Sequence, residues 1–341
     1  MAIGLVGVAG TVGSAIAEAL AARGRRTVTV GLDHPAATLG QVGVVVVATG
    51  GDLDATRRTV RAAVEAGVHV VDVDREVGYL AWLHGEPAIA AHSSGALLVA
   101  AAGVRFAVGD LLAALAAGLI TAPQDLHVAY TSGGGRSTLT AGERRAAIAA
   151  LGTPGTALVD RRRVDEHPGQ ARRLAWFPRP VGPAHAAAVP GGEVSSVPLH
   201  LDTLTTIRTY EALPGWRAEL LQARANLART RRGRRLLARR LAGRRSVGGP
   251  ATRAGQRWGC VAELAGQGAL GRAWAYGHDP VATTAVLATE LATRLEGVAP
   301  LPGRGGVRAP AQIDDPAGLL DAVAEVTDLR WSRAHVRLGT G

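Results

Sequence analysis

Residues 3–13 are Ile3-Gly4-Leu5-Val6-Gly7-Val8-Ala9-Gly10-Thr11-Val12-Gly13, and this stretch decides the fold. It begins as a short apolar run typical of a buried strand and continues into an alanine-rich pattern, residues 12–22, typical of a helix. Between the two the glycines follow the spacing G-x-x-G-x-x-G. The first glycine allows a tight turn, the second lets backbone N–H groups approach a pyrophosphate, and the third lets the helix pack closely on the strand. The partial positive charge of a helix N-terminus also favours phosphate. The stretch therefore predicts a dinucleotide-binding turn.

We predict that the cofactor contacts this turn and the loops after the next strands. The predicted cofactor-binding residues are Gly7, Ala9, Gly10, Thr11, Val12, Gly13, Asp33, Ala48, Thr49 and Gly50. Asp33 follows a predicted second strand, and a carboxylate there can accept a hydrogen bond from the ribose 2′-hydroxyl of NAD. Two alternatives stay open. Asp33 can simply begin the turn before Pro35, and the glycines can form an ordinary tight turn in a glycine-rich chain.

The first third of the sequence alternates apolar runs with helical patterns. The predicted strands are residues 3–7, 26–30, 43–48, 69–73 and 96–100. The clearest predicted helix, residues 53–66, has Asp52 as its N-cap and Gly67 just beyond its end. This alternation predicts an α/β fold with a Rossmann-type, doubly wound parallel sheet. Residues 33–43 are too few for a further strand and helix, so we expect the fold to be trimmed there.

The sequence predicts two domains. Residues 1–123 form the Rossmann dinucleotide-binding domain, and residues 124–277 form a second α/β domain for substrate binding and dimerisation, with a mostly antiparallel sheet. Residues 278–341 contain two predicted helices, each opened by Asp-Pro, and we expect them to return to the Rossmann domain. In the second domain we predict a strand at 126–130, a helix at 140–151 and short strands such as 199–208.

Composition excludes several classes of function. All 38 cationic side chains are arginine, so no lysine can form a Schiff base or act as a general base. The single cysteine, Cys260, rules out an internal disulfide framework, and the histidine spacings fit no structural zinc site. We therefore expect no bound metal. With no signal-peptide pattern and no apolar run of membrane-spanning length, we expect a cytoplasmic protein.

Several motifs resemble the saccharopine dehydrogenase-like NAD(P)-binding family, which includes saccharopine reductases and trans-acting enoyl reductases. The matching segments are residues 60–72 (VRAAVEAGVHVVD), 72–76 (DVDRE), 101–113 (AAGVRFAVGDLLA), 132–135 (SGGG) and 306–311 (GVRAPA). Their order spans nearly the whole chain. The resemblance implies a Rossmann domain enclosing a substrate domain, NAD(P)-dependent redox chemistry and a small-molecule substrate, and we also expect a homodimer.

The sequence also departs from that family at the loops where ligands bind. Where the family has Gly-Arg after the second strand, this chain has Gly31-Leu32, and Leu32 cannot contact a 2′-phosphate. The loop at residues 50–52 and the segment at residues 104–107 differ as well, and Arg105 stands in place of an acidic residue. The resemblance favours NADP, whereas Leu32 weakens that case and Asp33 favours NAD. The cofactor choice therefore stays open between NADP and NAD, with a slight preference for NADP, and the substrate is not carried over.

Five side chains are candidate proton donors for a reductive reaction. They are Asp74, Glu76, Tyr79, Tyr130 and His200. A buried carboxyl near Asp72 at the end of a strand can acquire a raised pKa and donate a proton, as can a tyrosine phenol. The alternatives are structural, because carboxylates there can cap a turn and tyrosines commonly pack with the hydroxyl at the surface. Arg105 can bind an anionic substrate group or can be a surface charge.

Residues 217–245 hold eleven arginines and regularly spaced leucines, a pattern that predicts an amphipathic helix pair. The simplest interpretation is a solvated basic face. Docking of an acidic partner such as a carrier protein, or of an anionic membrane surface, is the alternative. Nucleic acid is the least favoured partner, because interleaved aromatic residues are lacking apart from Trp216.

Taken together, the sequence supports an NAD(P)H-dependent reductase acting on a C=N or C=C bond of a small or carrier-bound metabolite. A cofactor-binding scaffold without turnover and a basic docking module are the competing hypotheses.

Overall fold

The computed structural model describes residues 2–50, 52–133, 151–242 and 254–337. The strands are β1 Ala2–Val6, β2 Thr27–Thr29, β3 Val42–Val47, β4 His69–Asp72, β5 Leu97–Val99, β6 Pro123–Gly133, β7 Gly155–Val159, β8 Arg162–Glu166, β9 Arg172–Trp176, β10 Pro183–Ala188, β11 Thr206–Ala212, β12 Arg257–Gly266, β13 Ala269–His278, β14 Gly306–Arg308 and β15 Arg330–Arg337. The helices are α1 Thr11–Ala22, α2 Ala36–Leu39, α3 Leu53–Glu65, α4 Val77–Leu83, α5 Glu86–Ser94, α6 Val104–Ala117, α7 Glu193–Ser196, α8 Gly215–Ala228, α9 Arg231–Ala242, α10 Pro280–Glu296 and α11 Pro316–Ala324.

The first sheet is parallel throughout and, within the described residues, has six strands in the order β14-β5-β4-β3-β1-β2. The run of valines at residues 44–47 is fully buried in its central strand β3. This confirms the predicted Rossmann-type sheet. The predicted trimming is confirmed too, because β2 is an edge strand and only the four-residue helix α2 separates it from β3.

Helix α3 begins and ends where the sequence predicts. The Asp52 side chain accepts a hydrogen bond from the backbone N–H of Ala55 at 3.1 Å, which caps the N-terminus. Gly67 follows the helix with φ of +73°, the left-handed conformation that glycine adopts without strain. Its buried face carries Val60 and Val64, which pack into the core beneath the sheet.

The second sheet is mixed. Its described strands run in the order β15-β13-β12-β6-β11-β10-β9, with β7 paired to β11 and β8 paired to β7. β6 and β11 are parallel, and the other neighbours are antiparallel. The predicted second α/β domain with a mostly antiparallel sheet is therefore confirmed. β12 and β13 form a long hairpin that the sequence did not reveal.

The chain divides into two compact units, and the division falls inside α6. The first unit comprises residues 1–111 and 280–329, and the second comprises residues 112–279 and 330–341. Helix α10 packs beside α1 in the first unit, where Arg23 and Arg294 both pair with the buried carboxylate of Glu290. The prediction that residues 278–341 all return to the Rossmann domain is wrong for their last part, because β15 pairs with β13 in the second sheet.

Two further predictions need comment. The strand predicted at 199–208 is wrong over most of its length, because residues 197–199 form a 3₁₀ turn and β11 starts only at Thr206. The helix predicted at 140–151 lies almost wholly outside the described residues. Among the described residues, no helix is both long and apolar enough to cross a membrane.

The close contact between α1 and the first turn gives a stability prediction. A Cβ at Gly13 would lie 2.0 Å from the carbonyl oxygen of Gly7, so Gly13→Ala forces backbone to move. We expect a loss of unfolding free energy of about 1–3 kcal/mol or more, measurable by denaturant titration. Gly40→Ala is the matched control, because Gly40 has helical φ and no heavy atom within 4 Å of an added Cβ. Equal stability of the two variants would contradict the prediction.

Candidate functional site

The glycine turn lies at the point where the connections of the first sheet diverge. From β1 the chain crosses to β2 on one side and then back past β1 to β3 on the other, which creates a crevice at the carboxyl ends of β1 and β3. Gly7 sits in that crevice with φ of +82°, and a Cβ there would lie 2.3 Å from the carbonyl oxygen of Ala48. The loops after β1 and β3 therefore touch, and only glycine fits between them.

Gly10 differs from its two neighbouring glycines. It is the N-cap of α1, it is exposed, and its φ of −80° is ordinary for any residue. A Cβ on Gly10 would meet the Gly7 carbonyl at 3.2 Å and the Ala48 carbonyl at 3.7 Å, a tight fit but far less restrictive than at Gly7 or Gly13. Internal packing thus explains Gly7 and Gly13, whereas at Gly10 the close approach of a phosphate would be the reason for glycine.

The start of α1 offers hydrogen-bond donors at the same place. The first backbone N–H groups of a helix have no partner within the helix. Ala9 and Thr11 are exposed beside Gly10, Val12 is half-buried, and the first turn holds no acidic side chain that would repel an anion. The turn is therefore electrostatically and sterically suited to a phosphate group.

The loop after β3 forms the second wall of the crevice. Ala48 is buried, and the hydroxyl of Thr49 lies 2.5 Å from that of Thr56 on α3. Thr56 in turn donates to the carbonyl oxygen of Asp52 at 2.6 Å, so Thr49 is the donor in the pair. Gly50 has φ of +67°. Side-chain hydrogen bonds therefore hold this loop against the start of α3.

Asp33 lies just after β2, where the ribose end of a dinucleotide would be expected. The side chain is exposed, while the preceding Leu32 packs against the core cluster of the first unit. Leu32 therefore offers no polar group to a 2′-phosphate.

Asp72, at the end of β4, is completely buried and pairs with a buried phenol. Tyr79, also without exposure, donates its hydroxyl hydrogen bond to Asp72 Oδ2, and the backbone N–H of Asp74 donates to Asp72 Oδ1 at 2.7 Å. The Tyr79 ring stacks on Trp82 with a centroid separation of 5.5 Å, and Arg57 lies over Trp82. Asp72 and Tyr79 therefore belong to the interior of the first unit.

The other two carboxylates of this segment hold the turn that follows. Asp74 Oδ1 accepts from the backbone N–H groups of Arg75 and Glu76, at 2.7 and 3.0 Å. Glu76 is the N-cap of α4 and accepts from Gly78 and Tyr79, at 3.1 and 2.5 Å. Two of the predicted proton donors thus lie in one loop, where each accepts backbone hydrogen bonds, and the third, Tyr79, lies on α4 with its hydroxyl bonded to Asp72.

The segment after β5 contains unusual backbone. Ala101 and Phe106 have φ of +57° and +83°, values that cost side-chain-bearing residues free energy. The backbone N–H of Val104 donates to the Thr284 hydroxyl at 3.1 Å, which ties this segment to the start of α10. Arg105 lies 6.0 Å from the centroid of the Phe106 ring. Strain of this kind is concentrated at ligand sites, and here it lies at a carboxyl end of the parallel sheet.

Tyr130 and His200 lie in the second unit. Tyr130, on β6, is buried and donates to the carboxylate of Glu193, which is itself fully buried at the start of α7. His200 is partly buried in the turn after the 3₁₀ segment, where its backbone N–H bonds to Val197 at 3.1 Å. Glu193 was not predicted as a partner of Tyr130, because a lone glutamate after two glycines carries no periodic signal.

A second polar cluster on the same sheet was also not predicted. Glu263 is buried and pairs with Arg173 at 2.9 Å and Arg272 at 3.1 Å. Nearby His127 is held neutral, because burial and then Arg173 lower its pKa to about 4. His127 and Arg272 each lie directly opposite Glu263 on the two neighbouring strands, so the three side chains share one face of the sheet. No group of metal-ligating side chains occurs within the described ranges.

Comparison with solved structures supports the fold. Saccharopine dehydrogenase (L-glutamate forming) from Saccharomyces cerevisiae superposes with a TM-score of 0.57 at 11% identity, over 98% of this chain and 99% of that one. Amine dehydrogenase from Mycobacterium smegmatis gives a TM-score of 0.42 at 14% identity, over 91% of this chain and 95% of that one. An enzyme of gentamicin A biosynthesis, solved in complex with NAD, gives 0.39 at 14% identity, over 98% and 96%. No family model and no curated protein sequence matches this chain.

At 11% identity, the likeness to the yeast enzyme establishes a shared fold only. The two TM-scores below 0.5 do not by themselves establish even that.

The buried Asp72 carboxyl predicts a pH dependence of stability. Burial, followed by the charge of Asp74, raises the pKa of Asp72 to about 7, above the 3.8 of a free aspartate. The folded state therefore keeps a proton that the unfolded state releases. This contribution is fully present below about pH 4 and is lost as the pH rises through 7. It amounts to at most roughly 4 kcal/mol.

Asp72→Asn removes this proton linkage. We expect the unfolding free energy of the variant, relative to the original protein, to improve steadily from pH 4 to pH 8. Denaturant titrations across that range measure the difference. A constant difference would show that Asp72 keeps an ordinary pKa in the fold.

Proposed function

We propose that this chain binds NAD or NADP in its first unit and is an oxidoreductase that uses the cofactor in hydride transfer. The observation that carries the proposal is the glycine turn at the switch point of the parallel sheet. There Gly7 and Gly13 bring the start of α1 against the ends of β1 and β3, and Gly10 leaves the approach to its N-terminus open.

The residues present fit a dinucleotide. The backbone N–H groups of residues 9, 11 and 12 would hold the pyrophosphate, with Ala48, Thr49 and Gly50 bordering it across the crevice and Asp33 near the ribose. When bound, the nicotinamide supplies or accepts a hydride. This chain's own residues orient the cofactor and keep its phosphates at the exposed start of α1.

We propose that the substrate carries a C=N or C=C bond and is a small or carrier-bound metabolite. The resemblance of the motifs at residues 60–72 and 101–113 to the saccharopine dehydrogenase-like family supports this class. The decisive assay follows the absorbance of NADH or NADPH. It uses two substrate panels, imines formed from 2-oxo acids with amino acids and enoyl thioesters. Turnover with one panel identifies the bond that is reduced.

A cofactor-binding scaffold without turnover is the second candidate. It is favoured by one observation: the buried or loop-forming groups Asp72, Asp74, Glu76 and Tyr79 are all engaged within the protein. A scaffold would bind NADH or NADPH as an enzyme does, yet it would oxidise neither in the presence of either substrate panel.

Cofactor binding is tested by titration with NADH and NADPH, following the thermal unfolding transition. Ligand at about 100 times its dissociation constant adds roughly 2.7 kcal/mol to the unfolding free energy. Gly10→Glu should abolish this stabilisation, because it places bulk and a negative charge against the pyrophosphate. Ala21→Glu, at an exposed position in the last turn of α1, adds the same charge away from the turn and should change nothing. If neither cofactor stabilises the original protein, the proposed function is wrong.

Cofactor choice is tested at Asp33. Two unit charges about 4 Å apart interact by about 4 kcal/mol at an effective dielectric of 20, enough to change preference by two orders of magnitude or more. If Asp33 contacts the ribose, Asp33→Asn should weaken NADH binding and strengthen NADPH binding. Both affinities are measured by fluorescence titration. Parallel changes, or none, would make Asp33 an ordinary turn residue.

A further inference from the structure

The arginine-rich segment folds as a helical hairpin made of α8 and α9, here called the basic hairpin (residues 215–242). Thr230 forms its turn: the Thr230 hydroxyl donates to the Leu227 carbonyl at 3.1 Å and accepts from the N–H of Gly233 at 3.0 Å. Gly233 permits the close approach, since a Cβ there would lie 1.9 Å from the Leu227 carbonyl oxygen. The hairpin is therefore a built element with a defined turn.

Helix α8 has two opposite apolar faces. Its inner face is a stripe of buried small residues, Ala218, Ala225 and Ala228. Its outer face carries Trp216, Leu220 and Leu227, whose spacing of four and then seven residues places them on one stripe at 100° per residue. These three side chains are between 37% and 63% exposed, so they form an apolar crest that the described part of the chain leaves open.

Helix α9 supplies positive charge beside this crest. Its exposed arginines are Arg231, Arg232, Arg234, Arg235, Arg239 and Arg240. Leu236 is 43% exposed among them, and the helix contains no acidic residue. The only acidic residue in the sequence of the hairpin is Glu219, which faces Arg172 at 3.9 Å. The Arg217 guanidinium lies 5.1 Å from the centroid of the Trp216 ring, within cation–π distance.

The charge and shape of this face indicate which kind of partner the basic hairpin binds. A second copy of this face would bring arginines against arginines, with Glu219 as the one acidic residue of each hairpin. A helix from an acidic protein would seek a groove, whereas the apolar side chains here form a crest directly opposite the buried stripe of α8. A crest of tryptophan and leucine flanked by arginines is the pattern of helices that lie in the headgroup region of a bilayer. Arginine also binds phosphate oxygens in a bidentate manner.

We propose that the basic hairpin docks on a lipid bilayer rich in anionic headgroups. The arginines of α9 contact lipid phosphates, and Trp216, Leu220 and Leu227 enter the boundary between headgroups and acyl chains. The surface lies in the second unit, and binding there is independent of the proposed cofactor site.

The test is sedimentation of the full chain with vesicles at physiological salt. Neutral vesicles are pure phosphatidylcholine, and anionic vesicles contain about one-third phosphatidylglycerol. We expect binding to anionic vesicles only. The double variant Leu220→Ser with Leu227→Ser should reduce partitioning at least tenfold, because it removes apolar side chains that the bilayer buries. The control is Ile89→Ser with Val326→Ser, two apolar positions outside the hairpin that are even more exposed, and it should bind like the original protein.

A second readout is tryptophan emission, which should shift to shorter wavelength with anionic vesicles in the original protein and not in Trp216→Phe. A further variant, Arg232→Gln with Arg235→Gln and Arg239→Gln, should also lose binding while leaving the apolar crest intact. The proposal is overturned if the original protein ignores anionic vesicles, or if the Leu→Ser variant binds them as well as the original. It is also overturned if polyglutamate binds more tightly than vesicles, which would assign the surface to an acidic protein partner.

Discussion

The absence of two Cβ atoms determines the geometry of the first unit. At Gly7 and Gly13, added methyl groups would lie 2.3 and 2.0 Å from backbone carbonyl oxygens, so any other residue would push α1 away from the sheet. With glycine at both positions, the first turn of α1 lies against the loops after β1 and β3. The exposed N-terminus of the helix, the crevice and the switch in connection direction then coincide, which is why one short stretch carries both the fold and the proposed cofactor site.

The fold of the first unit was predictable because burial there produces a simple signal. Strands of a parallel sheet covered on both faces become continuous apolar runs, as at residues 44–47, and glycine or aspartate marks the helix ends between them. In the second unit the relation between residue size and burial is reversed. On β13 the buried face is Gly271, Ala273 and Ala275, whereas Trp274 and Tyr276 occupy the less buried face.

The reason for this inversion is the close approach of α6. A Cβ at Gly271 would lie 2.3 Å from the carbonyl oxygen of Ala116, so the covered face accepts only small side chains. A pattern that equates large apolar residues with burial therefore fails on this strand. The long hairpin of β12 and β13 was missed for that reason, and β15, whose described residues are mostly exposed at the sheet edge, gave no periodicity either.

The sequence predicted the phosphate-binding part of the candidate site better than the part where the reaction would take place. The phosphate end depends on backbone geometry, which glycine spacing reports directly. The reacting end depends on which side chains reach the crevice, and sequence position alone does not report that. Asp74 and Glu76 follow a strand end, as catalytic carboxylates often do, yet they accept backbone N–H groups of their own loop. Asp72 is likewise engaged within the protein, because its buried carboxylate accepts the hydrogen bond of the Tyr79 hydroxyl.

This difference bears on how the proposed reaction obtains its proton. A chain without lysine relies on carboxyl, phenol, imidazole or water, and the carboxylates Asp74 and Glu76 of the loop after β4 are occupied by structural hydrogen bonds. Freeing any of them costs the loop a cap, worth about 1 kcal/mol for each one lost. A water molecule or a group of the substrate itself carries no such cost. The arrangement after β4 therefore favours a reaction in which the protein fixes the geometry of hydride transfer and the proton arrives from solvent or substrate.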